Sequence, residues 1–384
     1  MTPRCCSLVP RLALCCLTLA PVPAARAQDT VPPPLPAAGV PAPERVAWFA
    51  RFQDARSGPE ATETITRTFK VGQSGSIEIF NLAGPVIVTG GPGDTIVITA
   101  VKRARGSEAD AAREQLDAID IEAVETGGRV EVRTVVRGKV KQLRTWVDYT
   151  VTVPYGTAVT ARALAGDIKV VKVKGDVQIE STSGSVEALG TPRLVRVKTL
   201  SGDVLIADAT AVGALLASTV SGRLVAKGVK AQSMELATIS GDLLLVNTVT
   251  DRAQVRTVSG ALEFVGALTK NGRYDFNSHA GDVRLRLAKT PGFELTAKTF
   301  SGDFRSEMAL TMDEPRGEGH PPHPGPRRRD VRGVFGDGSA LILVKTFSGS
   351  VVVGLDVPKP PAPPAPPRAP APPNPQPHPK PQPQ

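Results

Sequence analysis

The residues of this chain with chemical capacity are few and unevenly placed. Arg327, Arg328 and Arg329 form the densest run of charge. Three adjacent guanidinium groups suit phosphate, carboxylate or an anionic polymer, and the same run equally suits a solvated loop. His320 and His323 lie just before them, His378 lies near the end, and His279 stands apart. Asp167, Asp203, Asp242, Asp282 and Asp303 each follow a glycine. Asp282 and Asp303 read either as paired corner residues or as glycosidase-like carboxylates. The sequence contains no Ser-His-Asp order, no His-Glu-x-x-His and no phosphate-binding glycine loop. Cys5, Cys6, Cys15 and Cys16 all precede residue 17. Downstream of them, disulfide scaffolds, cysteine nucleophiles and zinc–cysteine sites are therefore excluded.

The elements that must carry these residues are repeats. The phrase Thr-x-Ser-Gly-Asp-x recurs at Thr199–Val204, Thr238–Leu243 and Thr299–Phe304, with weaker copies between. Their glycines are Gly166, Gly184, Gly202, Gly222, Gly241, Gly260, Gly281 and Gly302, in steps of 18, 18, 20, 19, 19, 21 and 21 residues. A further copy, Thr346–Val351, follows its predecessor by 47 residues. A fixed period near 20 residues marks a solenoid. The fold expected is all-β, a single-chain β-solenoid with coils of 18–21 residues and one short helix near its N-terminal end.

Aligned on the glycine, each column of the repeat acquires a physical task. Two residues before it stand Leu164, Thr182, Leu200, Val220, Ile239, Val258, His279, Phe300 and Phe347. Two residues after it stand Ile168, Val186, Val204, Leu224, Leu243, Leu262, Val283, Phe304 and Val351. Both columns are almost wholly apolar, so both are expected to face a common interior, with His279 packed among them. The glycine supplies the bend, and Ser and Asp bond to nearby backbone. The residue after the glycine alternates between Asp and a non-acid until the last pair, Asp282 and Asp303. That spacing keeps like charges off adjacent strands. A calcium-binding acid ladder would need a different period and motif.

In chain order, residues 1–27 read as a secretory signal peptide. Arg4 and Arg11 precede an apolar run from Leu12 to Leu19, and Ala25-Arg26-Ala27 offers a cleavage site. Loss of Arg4, Arg11 and Arg26 takes the formal charge from +9 to +6. No later apolar run is long enough to cross a bilayer as a helix. Residues 28–62 form a Pro- and Ala-rich leader with a possible short helix around Trp48 and Phe52. The solenoid is expected over 63–357. Within it, Ser107 would cap a helix over 107–119 whose apolar face is Ala109, Ala112, Leu116 and Ile119. A disordered insertion is expected over 313–333. Residues 358–384 are a Pro-rich tail that favours polyproline II and could reach about 80 Å.

The helix, the strand pair after it, the run Val147-Asp148-Tyr149-Thr150-Val151-Thr152-Val153-Pro154 and the Ser-Gly-Asp repeats together resemble a bacterial β-strand-repeat family of candidate adhesins. The likeness covers roughly residues 63–356. It implies an exported β-solenoid and carries over no catalytic residues. The long insertion and the proline tail depart from the family pattern.

These features point to an exported, non-catalytic module without cofactor or metal, located in the periplasm, at the cell surface or outside the cell. It would act as an adhesin or binding module on an envelope or surface partner, a polysaccharide or a protein. An envelope scaffold is the alternative, and a polysaccharide-active β-helix enzyme a third reading. Sugar-binding enzymes need aromatic platforms, and Trp48 and Trp146 lie outside the regular coils. Nucleic-acid binding is not expected, because the basic residues are scattered and stacking partners are few. The residues singled out for anion or partner contact are Arg327, Arg328 and Arg329.

Overall fold

Short segments rich in Val, Leu, Ile and Thr, each broken by a glycine, become strands that turn a corner and stack on their neighbours. The computed structural model describes residues 58–138, 144–288, 292–312 and 329–355. Nearly every element there is a strand, and the strands form two sheets of 13 and 14 members. A typical coil runs as Lys230–Ser240 in the larger sheet, turns at Gly241, and continues as Leu243–Val246 in the smaller one. The next coil lies parallel to it, with Leu236 beside Val255 and Leu243 beside Leu262. The expected β-solenoid is thus the observed fold.

The core is the slab between the two sheets. Ile179, Val197, Leu236, Val255, Phe276 and Val344 point in from one sheet, and Val186, Val204, Leu243, Leu262, Phe264 and Val351 from the other, all buried. Each such side chain contributes about 1.5–3 kcal/mol on burial. Phe264 meets Tyr274 edge-on at 5.9 Å and Phe276 at 5.7 Å inside the slab.

The corner departs from the alternation expected of it. The residues two after the glycine face inward, as predicted. Those two before it face outward: Leu164, Leu200, Val220, Ile239, Val258, Phe300 and Phe347 are 36–51% exposed, and His279 is exposed beside them. The inward position is instead the threonine one step earlier, buried at Thr199, Thr219, Thr238, Thr257, Thr299 and Thr346. The glycine explains the shift. Its φ lies between +133° and +153° at the repeat corners from Gly166 to Gly281 and at Gly349, so three residues are spent on the turn and the period of two restarts after it. Three of the buried hydroxyls meet corner carbonyls: Thr199 donates to Gly184, Thr219 to Gly202 and Thr299 to Gly349, at 3.2–3.4 Å, while those of Thr238, Thr257 and Thr346 have no partner among the described residues.

Close stacking at the corner requires glycine for a second reason. A Cβ on Gly241 would lie 2.0 Å from the carbonyl oxygen of Gly222, and the same holds rung after rung. The ladder of corner glycines runs Gly84, Gly166, Gly184, Gly202, Gly222, Gly241, Gly260, Gly281, Gly349, Gly302. The aspartates after these glycines strap the coils together. Oδ1 of Asp167, Asp203, Asp242 and Asp282 accepts the backbone N–H of Ser185, Arg223, Ala261 and Ser350 in the next coil, at 2.8–3.0 Å.

The coil order is not the chain order at the C-terminal end. Ala340–Ser348 enters between Arg273–Ala280 and Gly292–Ser301, pairing in parallel with both. Asp282 and Asp303 therefore do not pair; Ser350 stands between them, and the alternation of acid and non-acid holds throughout the column. Arg329–Gly336 lies antiparallel outside Gly292–Ser301, so strand structure begins within the segment expected to be a disordered insertion.

At the other end, Ser76–Ala83 and Val86–Gly91 form a first coil that stacks directly on Ala158–Ala165 and Ile168–Val171. The chain between them, together with the strand that precedes the first coil, extends both sheets outward. The smaller sheet adds Thr145–Pro154, Thr95–Arg105 and Glu60–Lys70; the larger adds Arg129–Val136 and Ile119–Thr126. The helix spans Ala109–Asp117 and buries Ala112 and Leu116. Glu108, not Ser107, holds the cap position, and no side chain caps it. Ala109 is exposed, and Ile119 belongs to the following strand. Asn81 takes the place of the corner threonine in the first coil. Its amide donates to the carbonyls of Gly84 and Val147, both at 2.9 Å, and its oxygen accepts from Thr134. Thr134 also bonds the Tyr149 hydroxyl at 2.8 Å, and burial pushes the Tyr149 phenol up to about 12.

Candidate binding surfaces

Two apolar surfaces arise from this geometry. The first lies on the smaller sheet, whose strands are only four or five residues long in the regular coils. Their sequences, Val-Leu-Ile-Ala, Leu-Val-Ala-Lys and Leu-Leu-Leu-Val, are apolar at outward as well as inward positions, save for Lys227. Leu205, Val225 and Leu244 are neighbours across three strands, and one step further from the corner Leu189, Ala207, Val246 and Val265 lie in a second row that the exposed Lys227 interrupts between Ala207 and Val246. All seven are half-buried on the outward face. Ion pairs bracket them: Lys169 with Glu187 at 2.7 Å on one side, Arg286 with Glu263 at 3.2 Å on the other. The result is a flat aliphatic strip in a charged frame.

The second surface is the corner itself. Ordered by strand pairing, the outward column reads Leu82, Leu164, Thr182, Leu200, Val220, Ile239, Val258, His279, Phe347, Phe300. At about 4.8 Å per rung it runs for roughly 43 Å. Its C-terminal end is an aromatic stack, His279 on Phe347 at 5.0 Å and Phe300 on Phe347 at 4.8 Å, with ring planes within 9°. Beside it an open recess of about 420 Å³ is lined by Asn277, Lys298, Phe300, Lys345 and Phe347.

Of the residues singled out in the sequence, Arg327 and Arg328 lie outside the described residues, as do His320, His323 and His378. Arg329 opens the antiparallel strand Arg329–Gly336. His279 is a member of the exposed stack, not a core residue. Asp282 and Asp303 sit in corner turns separated by one coil. Trp146 lies at the N-terminal end with Arg105 over its ring at 5.1 Å. Nearby, hydrogen bonds from Arg105 and Arg103 hold the Glu60 carboxyl below the usual range. Among the described residues, no group of three or more His, Asp or Glu side chains gathers to hold a metal ion, and no helix is long and apolar enough to cross a membrane.

The aliphatic strip escaped the sequence reading, although a signal was present. Short apolar runs without alternation belong to strands covered on both faces, and here the outer face has no cover among the described residues. The apolar corner column is visible in the sequence, where the period of two points it to the interior; the positive φ of the corner glycine turns it outward.

A single chain wound into two stacked parallel sheets, with a glycine ladder at one corner, defines a β-solenoid. The chain belongs to the Toastrack DUF4097 family, whose model matches residues 93–351. Among solved structures it is similar to a candidate adhesin from Parabacteroides distasonis, with 12% identity over 76% of this chain and 97% of that one and a TM-score of 0.38. A candidate adhesin from Bacteroides fragilis gives 12% identity over 76% and 97%, with a TM-score of 0.35. A candidate lipid-binding protein from Parabacteroides distasonis gives 11% identity over 76% and 97%, with a TM-score of 0.37. No curated protein matches the chain.

Proposed function

We propose that this protein is an exported, non-catalytic binding module of the cell envelope, acting as an adhesin on a protein partner. The observation that carries the reading is the aliphatic strip Leu205, Val225 and Leu244, which no described residue covers inside its frame of ion pairs. A flat apolar centre with a charged rim is the anatomy of a protein–protein contact. A polysaccharide would call for aromatic platforms, which this face lacks. An envelope scaffold is the second reading, supported by the coil stack and the long proline tail.

Location separates the two readings. Intact cells are treated with protease, fractionated and probed with antibody against the solenoid. Cleavage near Arg327–Arg329 on whole cells supports adhesion; protection until the outer barrier is opened counts against it and leaves the scaffold. Cells carrying Val225→Asp with Leu244→Asp should then lose attachment while their surface level of the protein stays unchanged. Normal attachment by that variant would refute the assignment of the strip.

A further inference from the structure

We infer that the exposed corner is a self-association edge, along which two copies of this chain pair side by side with their solenoid axes parallel. The inference stands on a different surface from the aliphatic strip and does not depend on the proposed function. Three observations lead to it.

The first is the extent of the column. Seven large apolar side chains, roughly half open, line one edge without interruption except by Thr182 and His279. Together they offer on the order of 500 Å², and the flanking columns bring the edge to the roughly 800 Å² per partner of a standard stable interface. An isolated exposed leucine needs no partner, but a contiguous stripe of this length does.

The second is the sign of the charge on either side. Four residues before each corner glycine, on the larger sheet, stand Arg162, Glu180, Lys198, Ser218, Ala237, Arg256, Asn277, Lys345 and Lys298, in spatial order. One residue after each glycine, across the corner, stand Asp167, Ser185, Asp203, Arg223, Asp242, Ala261, Asp282, Ser350 and Asp303. One flank is basic and the other acidic. A two-fold axis along the stripe lays the basic flank of one copy on the acidic flank of the other. A two-fold axis across the stripe lays basic on basic and acidic on acidic. Charge complementarity therefore selects the parallel arrangement.

The third is the match level by level. In the parallel arrangement each coil faces its own counterpart. Asp167 then meets Arg162 of the second copy, Asp203 meets Lys198, and Asp303 meets Lys298. Glu180 meets Ser185, Arg223 meets Ser218, Arg256 meets Ala261, and Lys345 meets Ser350. Asp242 meets Ala237, and Asp282 meets Asn277. No level sets like charge against like. At the centre line the two apolar columns meet in register, with aromatic stack against aromatic stack.

The test uses the full chain as the cell produces it, with mass in solution read by sedimentation equilibrium. A dimer of twice the chain mass is expected at micromolar concentration. Ile239→Glu with Val258→Glu, both at exposed positions, should give a monomer with an unchanged β-sheet circular dichroism spectrum. A charge exchange then fixes the geometry. Lys198→Asp with Lys298→Asp, and separately Asp203→Lys with Asp303→Lys, should each weaken self-association at least tenfold. Mixing the two variants should restore a heterodimer of near-original affinity, because every altered level is then complementary. A chain that stays monomeric at 100 micromolar, a dimer that survives Ile239→Glu with Val258→Glu, or variants that fail to recover on mixing would each overturn the inference.

Discussion

Replacing Gly241 by alanine tests the physical basis of the corner. The added Cβ would stand 2.0 Å from the carbonyl oxygen of Gly222 and 2.7 Å from its carbon, and both are backbone atoms of a coil pinned on either side. The residue also keeps φ at +150°, a conformation costing a non-glycine residue about 1–3 kcal/mol. Overpacking against immobile atoms adds about 1–3 kcal/mol. The expected loss is therefore about 2–6 kcal/mol. Urea unfolding followed by circular dichroism reads it, and with a slope of about 3 kcal/mol/M the midpoint should fall by about 0.7–2 M. Gly213→Ala is the internal control. A Cβ on Gly213 would have no atom within 4 Å, and its φ is not positive, so its substitution should change stability by less than about 0.5 kcal/mol. Equal midpoints for the two variants would refute the ladder argument, because only steric contact and φ distinguish the two glycines.

Two further outcomes concern the N-terminal end. Asn81→Ala removes the donors to the carbonyls of Gly84 and Val147 and should cost about 2–3 kcal/mol, with amide protons of Ser76–Gly91 losing protection from exchange before those of the central coils. Tyr149 should make stability fall with alkali. Its phenol is raised in the folded state to about 12, so its contribution is fully present below the unfolded value near 10 and is lost as pH rises from there through 12. The loss amounts to roughly 2–3 kcal/mol over that window. Tyr149→Phe, measured by urea unfolding at pH 9 and pH 11.5, should flatten this part of the profile; an unchanged pH dependence would contradict it.

Much of the architecture was legible because it repeats. Glycines spaced near 20 residues, each followed two residues later by Ile, Val, Leu or Phe, specify a coil, a corner and an inward column without reference to any distant residue. The alternation of Asp with non-acid was legible as charge spacing, though its second task was not. Each Oδ1 reaches an N–H in the next coil, and that partner lies 18 to 20 residues away in the regular coils and 68 residues away for Asp282 and Ser350.

What the sequence by itself determined, then, is the solenoid, its period, its corner residues and most of its inward columns, since these follow from local conformation and side-chain pattern. Tertiary structure alone decided which side of the corner faces water. A period-two pattern predicts a face only while the strand continues, and a glycine at positive φ resets it, turning Leu200, Ile239 and Phe347 outward and Thr199, Thr238 and Thr346 inward. It also decided the order of the last coils. Parallel pairing is satisfied equally by any coil of matching pattern, so only the folded chain could place Ala340–Ser348 between two strands that precede it, and Ser350 between Asp282 and Asp303.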